Sequence, residues 1–152
     1  MEPPSLSVTA RLVRCGGSTI SCITVMPDDR MVAGSDAPVV WAHDSDTREV
    51  TLTGHLNVVQ ALCPLTNGFG RLLSSGGGRT VLLHEVGTAR GGAEVPPIRE
   101  YHGHSDWVRA IVELSGGRFA SGSDDGTVRV WALESGACLA TLRGCTGKVL
   151  AL

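Results

Sequence analysis

Three residues in the second half of the chain have the types that a hydrolase triad requires: His104, Ser121 and Asp125. In such a site the serine attacks the substrate, the histidine takes its proton and the carboxylate orients the histidine. The serine commonly lies in a Gly-x-Ser-x-Gly turn, and residues 122–126, Gly-Ser-Asp-Asp-Gly, have the wrong register for it. Buried histidine, serine and aspartate side chains are costly unless each finds a polar partner, and an indole such as that of Trp131 supplies a donor beside its apolar bulk. We therefore expect a structural role and no catalytic residue.

Two further sets of residues could bind a cofactor or a metal. Residues 144–148, Gly-Cys-Thr-Gly-Lys, resemble a phosphate-binding loop, but the spacing is too short and Val149 stands where a serine or threonine must bind magnesium. His102 and His104 could share a metal, yet no third histidine or cysteine lies near them in sequence. The five cysteines, at positions 15, 22, 63, 138 and 145, include no Cys-x-x-Cys pair, and we expect buried free thiols. The sequence predicts no metal and no cofactor.

The elements that position these residues are short strands. Val108, Ala110 and Val112 occupy alternate positions, as do Val128 and Val130 before Trp131, which is the period-2 pattern of half-buried strands. A middle strand is predicted at 119–121, and Asp-Asp-Gly at 124–126 is a tight-turn signal that returns the chain antiparallel. With a fourth strand at 137–142, this stretch predicts an antiparallel meander.

Three features of this meander carry a family resemblance. They are the Gly103-His104 pair, the segment Ser-Gly-Ser-Asp-Asp-Gly-Thr at 121–127, and Trp131. Together they resemble the WD40 repeat of β-propeller proteins, although Ala132 follows Trp131 where the family usually has aspartate. The resemblance implies that His104, Ser121, Asp125 and Trp131 form the buried polar tetrad that ties the start of a blade to its middle and third strands.

The resemblance extends over most of the chain as a series of weaker copies. We expect a disordered lead at 1–4 and an incomplete propeller at 5–152, with copies at about 16–53, 54–102, 103–143 and a partial one at 144–152. The first copy has Gly16-Gly17 in place of Gly-His. The second keeps His55 and Ser74 but has His84-Glu85 in place of Trp-Asp, so its network is expected to be incomplete and its blade the loosest.

The predicted fold is all-β: a partial WD40-type β-propeller of three four-stranded antiparallel blades, an N-terminal closing strand at 5–14 and the start of a fourth blade. Such a chain would be the N-terminal part of a longer propeller, and its uncovered blade faces would favour self-association. The Gly/Pro-rich segment 87–97 is expected to be a loop between third and fourth strands, either mobile or a contact loop.

Charge and hydropathy argue against two classes of partner, nucleic acids and membranes. The chain has 152 residues, with 13 basic and 15 acidic side chains and no basic cluster, so nucleic acid is not an expected partner. No apolar run is long enough to span a bilayer, and the first residues do not resemble a signal peptide, so we expect no membrane partner. The expected location is the cytoplasm, with the nucleus as an alternative.

The surface is then the expected functional site. Ser105, Trp107 and Arg109 alternate with core residues, so they project at the N-terminal end of their strand beside Asp124, which we expect to be an exposed turn residue. Val58 and Gln60 hold the equivalent positions of the second copy. Since Trp and Arg are enriched in binding hot spots, these six residues form the expected partner-binding face. The alternative is that Trp107 packs on a neighbouring blade.

The resemblance implies a function without catalysis. We expect a scaffold or adaptor that binds other proteins or peptides through the propeller face. The alternative is a regulatory WD40 segment of a larger enzyme, such as a kinase, hydrolase or ubiquitin ligase, lying beyond residue 152.

Overall fold

The computed structural model describes residues 19–35, 39–41, 48–66, 70–87, 89 and 91–152. These residues form strands, turns and loops, and no helix in this part of the chain is long and apolar enough to cross a membrane. The strands are β1 Cys22–Val25, β2 Met31–Gly34, β3 Val39–Trp41, β4 Arg48–Leu52, β5 Val59–Pro64, β6 Arg71–Gly76, β7 Val81–Glu85, β8 Ala93–Val95, β9 Pro97–Tyr101, β10 Val108–Leu114, β11 Arg118–Ser123, β12 Val128–Ala132 and β13 Cys138–Leu142.

The strands form three sheets, which we call blades 1, 2 and 3. Blade 3 has the order β10-β11-β12-β13 and blade 2 the order β5-β6-β7-β9, and all their neighbours are antiparallel. Blade 1 has the order β1-β2-β3-β4-β8. The all-β fold and its antiparallel meanders are therefore confirmed.

Blade 1 differs from the prediction because it has five strands. Ala93–Val95, inside the segment predicted as a loop, is a strand that pairs in parallel with residues 50–52 of β4. The strand is preceded by Gly91 and Gly92, whose positive φ angles of 71° and 79° favour glycine. The Gly/Pro content indicated the turns correctly but concealed the strand between them.

Two apolar clusters join neighbouring blades. Between blades 1 and 2, Val32 and Leu52 are packed with Leu72 and are fully buried. Between blades 2 and 3, the ring of Tyr101 meets the ring of Phe119 edge-on at 4.7 Å, and the Tyr101 hydroxyl donates to the Leu133 carbonyl at 2.6 Å. Because each such buried side chain contributes roughly 1.5–3 kcal/mol, these clusters hold the blades side by side.

Residues 144–152 dock on blade 3 without forming a strand. The Val149 amide donates to the Ser123 carbonyl at 3.0 Å, as the Val59 amide of the second copy donates to the Ser35 carbonyl at 3.0 Å. Val149 is buried, and the segment therefore begins as the earlier copies begin, but the predicted strand through Val149 and Ala151 is not present.

Some predictions lie outside the described residues or need correction. The lead at 1–4, the strand at 5–14, Gly16-Gly17 and Cys15 lie outside them. The boundaries of the copies remain predictions. The other four cysteines are free, but the expectation of buried thiols was wrong for Cys138 and Cys145, which are exposed because they lie on an outer strand and in a surface loop.

Candidate functional site

Blade 3 brings the four predicted tetrad residues together. His104 precedes β10, Ser121 lies on β11, Asp125 lies in the turn that follows β11, and Trp131 lies on β12. The Trp131 Nε1 lies 2.8 Å from the Ser121 Oγ, the Ser121 Oγ 2.7 Å from the His104 Nε2, and the His104 Nδ1 2.8 Å from the Asp125 Oδ2. The β11–β12 turn holds Asp125 in place through Gly126, whose φ of 77° few other residues adopt readily.

The direction of the hydrogen bonds in this network follows from its two ends, since the Trp131 N–H can only donate and the Asp125 carboxylate can only accept. The Trp131 N–H must donate to Ser121, so the Ser121 hydroxyl donates to the His104 Nε2, and the His104 Nδ1–H donates to Asp125. This arrangement requires a neutral imidazole. Burial lowers the pKa of His104 although Asp125 opposes the shift, which agrees with a neutral ring.

Asp125 is the acceptor on which this network ends. Its carboxylate also accepts from the Thr127 Oγ1 at 2.6 Å, the Thr127 amide at 2.9 Å and the Ser105 amide at 3.0 Å. Burial alone would raise the pKa of Asp125, but hydrogen bonds from Thr127, His104 and Ser105 outweigh it and hold the pKa below its ordinary value. The Asp125 carboxylate is thus charged, and both of its oxygens accept hydrogen bonds.

These contacts do not suit a hydrolase triad. Ser121 is fully buried, and its oxygen already contacts both the His104 imidazole and the Trp131 indole. A nucleophilic serine needs an accessible oxygen beside a substrate. The geometry therefore favours a buried network that ties the start of blade 3 to its middle and third strands.

Blade 2 contains a second network that the sequence reasoning treated as incomplete. His84 pairs across the sheet with Leu72, as Trp131 pairs with Phe119, so His84 occupies the position of the tetrad tryptophan. The Ser74 Oγ lies 2.7 Å from the His55 Nε2 and 3.4 Å from the His84 Nδ1, and the His84 Nε2 lies 2.9 Å from the Thr53 carbonyl. The shared register of His84 and Trp131 is the signal that could have revealed this network.

The hydrogen bonds of blade 2 run in the opposite direction to those of blade 3. The Thr53 carbonyl only accepts, so the His84 Nε2–H donates to it and the Ser74 hydroxyl donates to the His84 Nδ1. The His55 Nε2–H then donates to Ser74. Burial, followed by the neighbouring His84, lowers the pKa of His55 to about 4, and burial lowers the pKa of His84. Both rings are therefore neutral at pH 7.

Blade 2 has no counterpart of the Asp125 carboxylate, and Gly78→Asp should supply one. Gly78 follows Ser74 at the interval that separates Asp125 from Ser121, and a Cβ added there meets no atom within 4 Å. We expect the new carboxylate to raise the pKa of His55 from about 4 towards its ordinary value and to stabilise the chain by about 1 kcal/mol. An NMR titration of the imidazole and a urea titration measure the two effects.

Gly77→Asp is the matched control because it adds the same charge one residue earlier. A Cβ at Gly77 would lie 2.8 Å from the Asn57 Cγ, so we expect no stabilisation and a smaller pKa change. Equal effects from the two variants would show that Gly78 does not correspond to Asp125.

The predicted binding face contains a charge cluster at the N-terminal end of β10. The Arg109 guanidinium lies 4.6 Å from the centre of the Trp107 ring and makes two hydrogen bonds to Asp124, Nε to Oδ1 at 3.0 Å and Nη2 to Oδ2 at 2.7 Å. The Lys148 Nζ lies 2.8 Å from the same Asp124 Oδ2. Trp107, Arg109, Asp124 and Lys148 therefore form one unit, which we call the tryptophan–arginine cluster.

The expectation that Asp124 is an exposed turn residue was wrong. Its side chain is 3 % exposed because Arg109 and Lys148 cover it, and hydrogen bonds from Arg109 and then Lys148 lower its pKa to about 2. Sequence reasoning also missed Lys148, which holds in the partial copy the position that Trp107 holds in the third. The shared spacing from Gly103 and from Gly144 could have identified it.

The other predicted residues of the binding face, Ser105, Val58 and Gln60, are not part of the tryptophan–arginine cluster. Ser105 is exposed, and its amide binds Asp125. Val58 and Gln60 are half-buried at the N-terminal end of β5 in blade 2. In the part of the chain that the structure describes, the Gln60 side chain makes no hydrogen bond to the tryptophan–arginine cluster. Trp107 is half-buried, so its ring is neither a core residue nor freely exposed.

Comparisons with known proteins agree with this fold. Residues 95–132 match the model of the WD40 family, described as "WD domain, G-beta repeat". The chain is 51% identical to "F-box/WD repeat-containing protein 7" of Drosophila melanogaster over 56 residues, which are 35% of this chain and 4% of that protein. It is 50% identical to "Ribosome biogenesis protein BOP1" of Rattus norvegicus over 44 residues, 28% of this chain and 6% of that protein. The chain thus spans a small fraction of these relatives.

A further relative and two solved structures extend the comparison. The "Probable E3 ubiquitin ligase complex SCF subunit sconB" of Aspergillus oryzae is 48% identical over 48 residues, 31% of this chain and 7% of that protein. The structures described as "Structure of U3-55K" and "Crystal structure of RRP9 WD40 repeats" superpose with a TM-score of 0.80 each at 22% identity. Each match covers 93% of this chain. It covers 44% of the chain in the first structure and 43% of the chain in the second.

Proposed function

From the premise that residues 95–132 are a WD40 repeat and that the sheets have the fold of a WD40-type β-propeller, we propose that this chain is a non-catalytic scaffold or adaptor that binds other proteins. Two relatives have names that refer to assemblies or biogenesis, an SCF ubiquitin ligase complex and ribosome biogenesis, and these names support a role in protein assembly. The proposed location is the cytoplasm, with the nucleus as the alternative.

The tryptophan–arginine cluster is the observation that carries this proposal. Trp107 and Arg109 present an aromatic ring and a guanidinium that are already held in one orientation by Asp124. Side chains that are fixed before binding lose less conformational entropy when a partner arrives. Trp and Arg are also the residue types that dominate binding energy at protein interfaces.

The proposed face extends outward from this cluster. Ser105 lies beside it on blade 3, and Val58 and Gln60 lie at the equivalent end of the inner strand of blade 2. Lys148, 60 % exposed, adds a cation that the sequence reasoning did not include. A partner is therefore expected to contact two neighbouring blades and residue 148.

Replacing Trp107 with alanine tests this proposal. Because the ring is half-buried and lies outside the two apolar clusters, we expect the melting temperature to change by no more than a few degrees. Partner capture should weaken by about 2 kcal/mol, which is roughly thirtyfold. Quantitative mass spectrometry of proteins captured from cell extract by the tagged chain measures the loss.

Ile98→Ala is the matched control for capture. Ile98 is a 50 % exposed apolar residue on β9, away from the proposed face, so its removal should leave the captured proteins unchanged. Capture that is unaffected by Trp107→Ala would contradict the proposed face. A large loss of melting temperature in that variant would instead show that Trp107 is a packing residue between blades.

A further inference from the structure

The parallel strand β8 shows how an outer blade edge of this chain binds an extended segment. Ala93–Val95 pairs with residues 50–52 at the outer edge of blade 1, and the Thr53 amide donates to the Val95 carbonyl at 3.0 Å. Ala93 and Val95 are half-buried, whereas Glu94 between them is exposed. The bound segment therefore has small or branched apolar residues at alternate positions and a polar residue between them.

The outer edge of blade 2 is protected in a different way. No strand adds to β9 among the described residues, and this strand carries Pro97, Arg99 and Glu100. Proline removes a backbone donor, and charged side chains discourage pairing with another strand. Blade 2 therefore has an open edge whose sequence disfavours the addition of a strand.

The outer edge of blade 3 is open without this protection. β13, Cys138–Leu142, has no charged residue and no proline, and all its residues except Thr141 are exposed. Leu139 and Leu142 are 53 % and 57 % exposed. Within the described ranges no strand adds to β13. β4 begins with Arg48 and Glu49, but residues 50–52, which pair with β8, have no charge and no proline. β13 resembles this paired part of β4 more than it resembles β9.

The register of the two edges supports this likeness. On the third strand of blade 1, Val39 pairs with Thr51, and on the third strand of blade 3, Arg129 pairs with Thr141. In both blades a register shift lies just before the tryptophan of the third strand. Residues 50–52 read Val-Thr-Leu and residues 140–142 read Ala-Thr-Leu. Since alternate amides of an edge strand point outward, the amides that correspond to Thr51 and Thr53 are those of Thr141 and Arg143.

We propose that residues 140–142 bind an extended segment of a partner protein, which adds to β13 as a parallel strand as Ala93–Val95 adds to β4. Each strand that the structure describes already belongs to a sheet of this chain, and we take the occupant to be a segment of another protein. Its recognition rests on backbone hydrogen bonds, with apolar side chains at alternate positions and a polar one between them. This site lies on the outer edge of blade 3 and is separate from the face around Trp107.

A peptide with the sequence of residues 91–97, Gly-Gly-Ala-Glu-Val-Pro-Pro, is the probe. We expect it to shift the amide NMR signals of residues 138–143 in the isotope-labelled chain and to slow hydrogen exchange at Thr141. The same peptide N-methylated at its valine lacks the backbone donor that corresponds to the Val95 N–H, which faces the edge strand as the Val95 carbonyl does. Its binding should be at least about tenfold weaker.

The double variant Ala140→Arg, Thr141→Glu copies onto β13 the charges that blade 2 carries at the same register. We expect it to weaken peptide binding at least about tenfold while the melting temperature stays close to that of the parent chain, because both residues lie on an edge strand. Ile98→Lys on β9 adds a charge to another blade edge and should leave peptide binding unchanged.

Three results would overturn the proposal. The first is the absence of shifts in β13 at saturating peptide. The second is a set of shifts confined to residues 50–52, which would mean that the peptide only exchanges with β8. The third is a change of the β13 signals with chain concentration alone, which would make a second copy the occupant.

Discussion

Asp125→Ala should lower the free energy of unfolding by roughly 3 kcal/mol, because it leaves several buried donors without an acceptor. The carboxylate binds the His104 Nδ1, the Ser105 amide, and both the amide and the hydroxyl of Thr127. His104 would also lose the group that orients its ring towards Ser121. A urea titration followed by tryptophan fluorescence measures the change, since Trp131 belongs to the same network.

Asp106→Ala is the control because it removes a carboxylate from the neighbouring loop. Among the residues that the structure describes, the Asp106 carboxylate accepts a hydrogen bond only from the Trp107 amide next to it, so we expect a loss of about 0.5 kcal/mol. Asp124 does not serve as this control, since its side chain is covered by Arg109 and Lys148. Similar losses from Asp125→Ala and Asp106→Ala would mean that the network does not stabilise blade 3.

The chain should lose about 3 kcal/mol of stability through His55 as the pH falls from 6.5 to 4. The folded pKa of His55 is about 4 and its ordinary value is 6.5, so the unfolded chain binds the proton more readily throughout that window. The contribution is complete above pH 6.5, declines as the pH falls and stays constant below pH 4. Burial also lowers the pKa values of His84 and His104, so they act in the same direction.

His55→Gln separates this residue from the others. Glutamine does not titrate, and its amide can still donate to Ser74, so the variant should show a smaller dependence of unfolding free energy on pH between 6.5 and 4. An unaltered slope in His55→Gln would contradict the view that blade 2 holds a buried neutral histidine pair.

The sequence predicted blade 3 well because its determinants are local. The alternation from Val108, the turn at Gly126 and the tryptophan at 131 each act over a few residues and agree with one another. The contacts among His104, Ser121 and Asp125 were implied by the resemblance to the WD40 repeat, which the same stretch of sequence carries. The same reasoning applied to the other copies with less success, since they keep fewer of these residues.

The features that were missed depend on contacts between distant parts of the chain. β8 pairs with β4, although the strands β5, β6 and β7 lie between them in the sequence. Nothing in residues 87–97 indicates that this segment pairs with β4. Asp124 is covered by Lys148, which belongs to the next copy. His84 stands where the WD40 motif has tryptophan, and it still makes a hydrogen bond to Ser74. A comparison with the motif shows that the tryptophan is missing but does not show that the hydrogen bond remains.

Photo-crosslinking from position 107 tests directly whether partner proteins bind the proposed face. A photoreactive phenylalanine analogue at position 107, compared with the same analogue at position 98 on β9, would be activated in cells that express the chain. We expect covalent adducts with defined partner proteins from position 107 and few or none from position 98. Equal adducts from the two positions, or adducts from position 98 alone, would contradict the claim that blade 3 binds its partners through Trp107 and Arg109.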